Sequence, residues 1–224
     1  MPFKDRTEAG QKLAVALSKY KDQQPAILAL PRGGVPVAAE VARALHAPLD
    51  LVLVRKIGVP FQSELAMGAV VDGGSHIVVR NEDVIRMAGV DEIEFKSVCD
   101  AELAEIERRR ERYLGGRERL DVTGRIAIVI DDGIATGATT RAALRAVRAR
   151  NPKTLVLAVP VAPTESLGAL RQEVDDLVCL EDHELFGAIG LYYRDFRQVS
   201  DEEVIEMLAR FPVLTDGAAQ APAA

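Results

Sequence analysis

The 224-residue chain is short of several things, and each shortage removes a class of protein. It has two cysteines, Cys99 and Cys179, far apart and outside any CxxC or Cys/His spacing. A zinc module is therefore not expected, and both read as reduced, buried thiols of a cytoplasmic protein. No apolar run approaches the roughly 20 residues that a bilayer span needs. The opening MPFKDRTEAG lacks the apolar segment of a secretory signal. Positive charge is also scarce, with 28 basic against 34 acidic residues and a net charge of −6. That balance argues against a broad nucleic-acid footprint and leaves room only for a local basic pocket. Neither G-x-x-x-x-G-K-[ST] nor G-x-G-x-x-G is present, which removes two common phosphate-binding motifs. Internal repeats and low-complexity linkers are missing too.

What is present is a 48% hydrophobic share, ample for one medium α/β domain spanning residues 1–214. The closing TDGAAQAPAA (215–224) reads as a frayed tail. Asp5 is placed to cap a helix whose Leu13, Leu17 and Tyr20 share a face. AILAL (26–30), DLVLV (50–54), RIAIVID (125–131), TLVLAVPV (154–161) and DLVCL (176–180) read as short buried strands. Helices are expected over 35–46, 81–114, 139–150, 165–172 and 200–211, the last capped by Ser200. AMGAVV and HIVVR read as a hairpin about Asp72–Ser75. Continuously apolar strands alternating with helices predict a mostly parallel sheet flanked by helices. A helical insertion over about 72–123 and a small hood over about 181–211 complete the expected α/β architecture.

In such sheets ligands gather beyond the carboxyl ends of the strands. Those ends are PRGG, RKIG, DDGIATGATT, PVAPTE and EDHELF, each polar, charged or glycine-rich. In DDGIATGATT, Gly133, Ala135, Gly137 and Ala138 let backbone amides approach a ligand closely, and Thr136, Thr139 and Thr140 add hydroxyls. Amides at the start of a helix form an anion site suited to phosphate. Asp131 and Asp132 would repel that phosphate directly, so they make sense facing another part of the ligand, such as vicinal hydroxyls. A ribose 5-phosphate satisfies both demands. The bland alternative is a glycine-rich turn with an acidic cap.

An apolar strand, two acids and an ATGAT-type loop resemble the phosphoribosyl diphosphate (PRPP) signature of type I phosphoribosyltransferases. PRGG, RKIG and GAIGLYYRDF extend the resemblance to the bacterial branch known only as possible members of that family. The resemblance implies that Asp131 and Asp132 bind the ribose hydroxyls and that the loop from Gly133 through Ala135, Thr136, Gly137, Ala138 and Thr139 wraps the 5-phosphate. It implies Mg²⁺ held mainly through PRPP and water, with Asp131 as the candidate protein ligand. It implies diphosphate binding at Arg32, Gly33 and Gly34, in a loop where relatives often hold a cis peptide. Transfer of ribose 5-phosphate to a nucleobase or other nitrogen nucleophile follows as the expected reaction, in a homodimer.

Further candidates stand beside bland readings. Arg55 and Lys56 follow the second strand and could neutralise departing diphosphate, or be a solvated pair. The stretch IGVPFQSELAMG could form a mobile cover. Its Glu64 could take a proton from the acceptor, or serve a cap or salt bridge. Phe186, Tyr192, Tyr193 and Phe196 cluster in a chain with only six Phe and four Tyr. Relatives sandwich the base there, which suggests Phe186 and Tyr193 as base contacts, against a small satellite core. His183 among acids reads as a solvated loop residue. The Glu/Arg helix around 102–119 reads as a salt-bridged exposed face, or as a dimer arm or lid. Ala135 replaces the aspartate of hypoxanthine/guanine enzymes, which weakens that assignment. A PRPP sensor without turnover, and a phosphohydrolase or phosphotransferase acting on a related sugar phosphate, are the competing functions.

Overall fold

Five parallel strands, the central ones almost wholly apolar, build the centre of the molecule. A computed structural model describes residues 2–72 and 77–211, without the side chains of Ser63 and Glu64. Strands β1 (Ala26–Ala29), β2 (Leu49–Leu51), β6 (Ile126–Ile130), β7 (Thr154–Pro163) and β8 (Asp176–His183) form one parallel sheet in the order β2-β1-β6-β7-β8. Every residue of β6 is buried, because both faces of the sheet are covered. Ile128 and Ile130 join the core on one face, and Ala127 and Val129 the core on the other. That is the period of two expected of a strand.

Helices α1 (Arg6–Ala16) and α2 (Gly34–Leu45) cover the first face, together with α7 (Asp201–Ala209). Asp5 caps α1 by accepting from the amide of Glu8. Leu13 lies on α1, whereas Leu17 and Tyr20, expected on the same helix, fall beyond its end, Tyr20 in a 3-10 turn over Ser18–Gln23. All three are buried in one core. Helix α5 (Ala138–Arg148) covers the second face through Ala143, Leu144 and Val147, and the short α6 (Thr164–Leu170) adds Leu167 and Leu170. The Ser200 cap of α7 is a full capping box with Glu203.

Between β2 and β6 the chain leaves the main sheet. It builds a three-stranded antiparallel sheet of β3 (Val54–Val59), β4 (Gln62–Val71) and β5 (Ile77–Arg80), then α3 (Glu82–Ala88) and α4 (Glu92–Leu114). The expected hairpin of β4 and β5 is present, with its turn outside the described residues. The 215–224 tail is outside them as well. Two expectations need correction. Arg55 and Lys56 lie within β3 and not in a loop after a strand. The stretch expected as a mobile cover is largely strand, turning at Pro60–Phe61 into β4. Pairs such as Glu105 with Arg108 and Arg109, and Lys96 with Asp100, make α4 the salt-bridged helix its alternating charges suggested.

Candidate functional site

The chain runs from β1 to β2 on one side, whereas β6 lies against β1 on the other. The switch in direction opens a crevice between β1 and β6, the place where open α/β sheets bind ligands. Ala29 pairs with Ile130, and the amide of Leu30 donates to the Ile130 carbonyl at 2.9 Å. PRGG and the acid pair therefore emerge side by side. The Pro31–Arg32 peptide is cis. Gly33 and Gly34 are required by space: a Cβ on Gly33 would stand 2.0 Å from Asp132 Oδ2, and one on Gly34 2.8 Å from the Ile130 carbonyl oxygen. Helix α2 begins at once, so the loop sits on a helix N-terminus. Arg32 is partly exposed, and its Nη1 reaches Asp201 Oδ1 at 3.3 Å. Asp201 also accepts from Tyr113 Oη at 2.5 Å and pairs with Arg112 at 2.9 Å. The start of α7 and the end of α4 thus hold the Arg32 side chain.

The two acids differ in their surroundings. Asp131 is half-buried and its Oδ1 accepts from the Asp132 amide at 2.9 Å. Removal from water, then the neighbouring Asp132 carboxylate, raises the Asp131 carboxyl well above the usual carboxylate range. Asp132 is buried, and its Oδ2 accepts from Arg6 Nε at 2.7 Å. After the pair, Gly133 lies against Ile189, where a Cβ would be 2.6 Å from that side chain. Ala135, Thr136, Ala138 and Thr139 are exposed around the N-terminus of the 11-residue α5, and Thr140 is buried. Gly137 caps α5 at φ +75°, a conformation that favours glycine. Ser166 of α6 donates to the Ala135 carbonyl at 3.0 Å, fastening the loop from behind. The result is an open anion cradle with bare amides, next to a carboxylate and a glycine-lined loop.

The remaining candidates divide. Phe186 is half-buried and stacks on Tyr192 with centroids 4.9 Å apart, and Tyr192 stacks in turn on His183 at 4.5 Å. That leaves Phe186 at the end of a stack near the β8 strand end. Tyr193 is placed otherwise than the base-contact reading requires. It is buried between Phe3 and Phe196, and its hydroxyl donates to the Asp132 carbonyl at 2.6 Å. It supports the acid pair from below. Arg55 Nε donates to Glu102 of α4 at 2.6 Å, and Lys56 is exposed on the same strand. The Glu64 side chain lies outside the described residues. The sequence reading missed Arg6, Phe3 and Asp201. Phe3 pairs with the Tyr193 segment, the Phe3 amide donating to the Tyr192 carbonyl at 2.8 Å and the Arg194 amide to the Phe3 carbonyl at 2.8 Å. That pairing brings the start of α1, and with it Arg6, beside the hood, and no local pattern announces it.

This arrangement is that of a phosphoribosyl transferase domain. The profile of that family matches residues 5–196, and the chain belongs to it. It is 47% identical over 208 residues to two curated Mycobacterium tuberculosis proteins, named "Putative phosphoribosyl transferase Rv0571c" (strain H37Rv) and "Putative phosphoribosyl transferase MT0597" (strain CDC 1551). Those matches cover 93% of this chain and 46% of each relative, so the chain spans about half the length of the curated relatives it matches. The crystal structure of TT1426 from Thermus thermophilus is 40% identical, with a TM-score of 0.83 over 95% of this chain and 100% of that one. Among the described residues no helix is long and apolar enough to cross a membrane.

Proposed function

We propose that the protein transfers ribose 5-phosphate from PRPP to a nitrogen nucleophile, a nucleobase being the leading acceptor, and releases diphosphate. One observation carries the reading: at the β1/β6 switch point, the acid pair, the anion cradle at α5 and the PRGG loop converge, with a Cβ position on Gly33 only 2.0 Å from Asp132 Oδ2. The bond from C1 of the ribose to the diphosphate oxygen breaks and its electrons leave with the diphosphate. The acceptor nitrogen forms the new bond to C1 and loses a proton. The α5 cradle fixes the 5-phosphate, Asp131 takes the ribose hydroxyls, and the PRGG amides with Arg32 receive the diphosphate. Positioning and electrostatics supply the rate, since no covalent nucleophile is required.

Mg²⁺ fits this donor set as a ligand-borne ion. Two adjacent carboxylates are present, and no group of three or more His, Cys, Asp or Glu able to hold a metal stands among the described residues. Asp131 is the residue that would touch the ion, the remaining ligands coming from PRPP oxygens and water. When bound, it would neutralise charge on the diphosphate. Cytoplasmic residence and a homodimer belong to the same proposal.

The test is Mg²⁺- and PRPP-dependent release of diphosphate across a panel of nucleobases. Turnover with one base is expected, and Asp131→Asn should reduce it by roughly 10²-fold, in line with the loss of a charged ligand-binding group. Saturable PRPP binding without diphosphate release for any base would overturn the transferase and favour a sensor. Release of inorganic phosphate instead would favour a phosphohydrolase.

A further inference from the structure

Three parts of the chain meet on Asp132, which follows β6. Its Oδ2 is held by Arg6 of α1, its carboxylate lies against Gly33 of the PRGG loop, and its carbonyl accepts from Tyr193 of the hood. Arg6 itself is built in, with its side chain only 11% exposed. Its guanidinium carbon lies 4.0 Å from the Phe196 ring centroid, and Nη1 donates to the Arg197 carbonyl at 2.8 Å. Aromatic face, carbonyl and carboxylate together fix the fork in one orientation. A lone carboxylate packed on a loop that receives diphosphate would repel it at short range and low dielectric. Arg6 removes that obstacle.

We propose that Arg6 is a positioning residue of the PRPP site, neutralising Asp132 and fixing it as the post on which the PRGG loop rests. The proposal rests on the PRPP reading above. Arg6 acts through Asp132: once residue 132 is neutral, residue 6 has nothing left to cancel.

Calorimetric titration of the full chain with PRPP and Mg²⁺, and separately with ribose 5-phosphate, tests it. Arg6→Gln is expected to weaken PRPP binding about 10–100-fold, because it leaves a buried carboxylate unpaired. The loss should be smaller for ribose 5-phosphate, which lacks the diphosphate; a general loosening of the fold would weaken both alike. Arg6→Lys should restore part of the affinity. Asp132→Asn should cost less than tenfold, and Arg6→Gln with Asp132→Asn should bind like Asp132→Asn alone. If Arg6→Gln does not fold, the comparison of the double variant with Asp132→Asn still decides. Wild-type affinity in Arg6→Gln, equal losses for both ligands, or a double variant tenfold weaker than Asp132→Asn would each overturn the proposal and leave the transferase reading standing. A wild-type protein silent to PRPP would overturn both.

Discussion

Single residues set the tolerances of the crevice. Gly33 has an ordinary helical φ of −61°, so alanine is conformationally acceptable there, and only space forbids it. The added methyl would stand 2.0 Å from Asp132 Oδ2, so loop or carboxylate must shift. Overpacking of this kind costs about 1–3 kcal/mol. Gly33→Ala is thus expected to lower the urea midpoint and weaken PRPP binding, whereas Gly116→Ala, with open space around its Cβ, should change neither. The cysteines make a second residue-scale case. Burial pushes the Cys179 thiol up to about 11 and raises Cys99 as well. The thiolate is the nucleophile, so iodoacetamide should label the native protein slowly at pH 8 and readily in urea. Cys99 is buried and Cys179, expected to be so as well, is half-buried; rapid native labelling would contradict these settings.

At the scale of elements, α7 carries a charge-dependent attachment. The Arg197 guanidinium and the Ser200 amide hold the Glu203 carboxyl down at about 2, and Tyr113 with Arg112 and Arg32 lowers Asp201. A carboxylate held below its unfolded value of 4.5 favours the folded form while ionised. Its contribution is complete above that value and fades as pH falls from there toward 2. Acid titration followed by the amide resonances of residues 200–209 should show α7 loosening over this window, and Glu203→Gln should reduce the effect to the share that Asp201 carries. The parallel strands and the capped helices were legible because buried strands are continuously apolar and Asp5 and Ser200 are ordinary caps. Strand β3 and the first part of β4 were not. Register shifts on both sides of Gly58 break the alternation that marks a strand, and Gly58 and Pro60 imitate a loop. Arg55 was accordingly assigned to a loop at the site, whereas it pairs with Glu102 of α4. The local order of strand, acid pair, small-residue loop and helix at β6 and α5, by contrast, was legible, since these segments are contiguous.

For the whole molecule, the decisive contact joins opposite ends of the sequence. Phe3 is 1% exposed, packs on Tyr193 and bridges to the hood, and Arg6 follows it into the crevice. Contacts this distant leave no periodic trace, which is why Phe3 and Arg6 could not be singled out beforehand. Phe3→Ala should cost about 3–5 kcal/mol, the usual range for a buried aromatic, and should weaken PRPP binding through the misplacement of Arg6. Chemical denaturation and calorimetry measure the two effects separately. Stability lost with affinity kept would mean that α1 holds Arg6 without help from the hood.

The other described end of the chain lies elsewhere. Phe211 follows α7 beside Gln24, Pro48, Gly124 and Lys153, residues that precede β1, β2, β6 and β7, and Arg117 Nη2 donates to the carbonyls of Leu49 and Phe211. Phe211 therefore sits at the amino edge of the parallel sheet, and the crevice at the carboxyl edge. Cargo fused beyond Phe211 would hang away from the ligand, while cargo fused ahead of Phe3 would crowd the hood and the Arg6 helix. An affinity handle or fluorescent label belongs on the carboxyl side, and a reporter placed on the amino side would itself be a perturbation of the site.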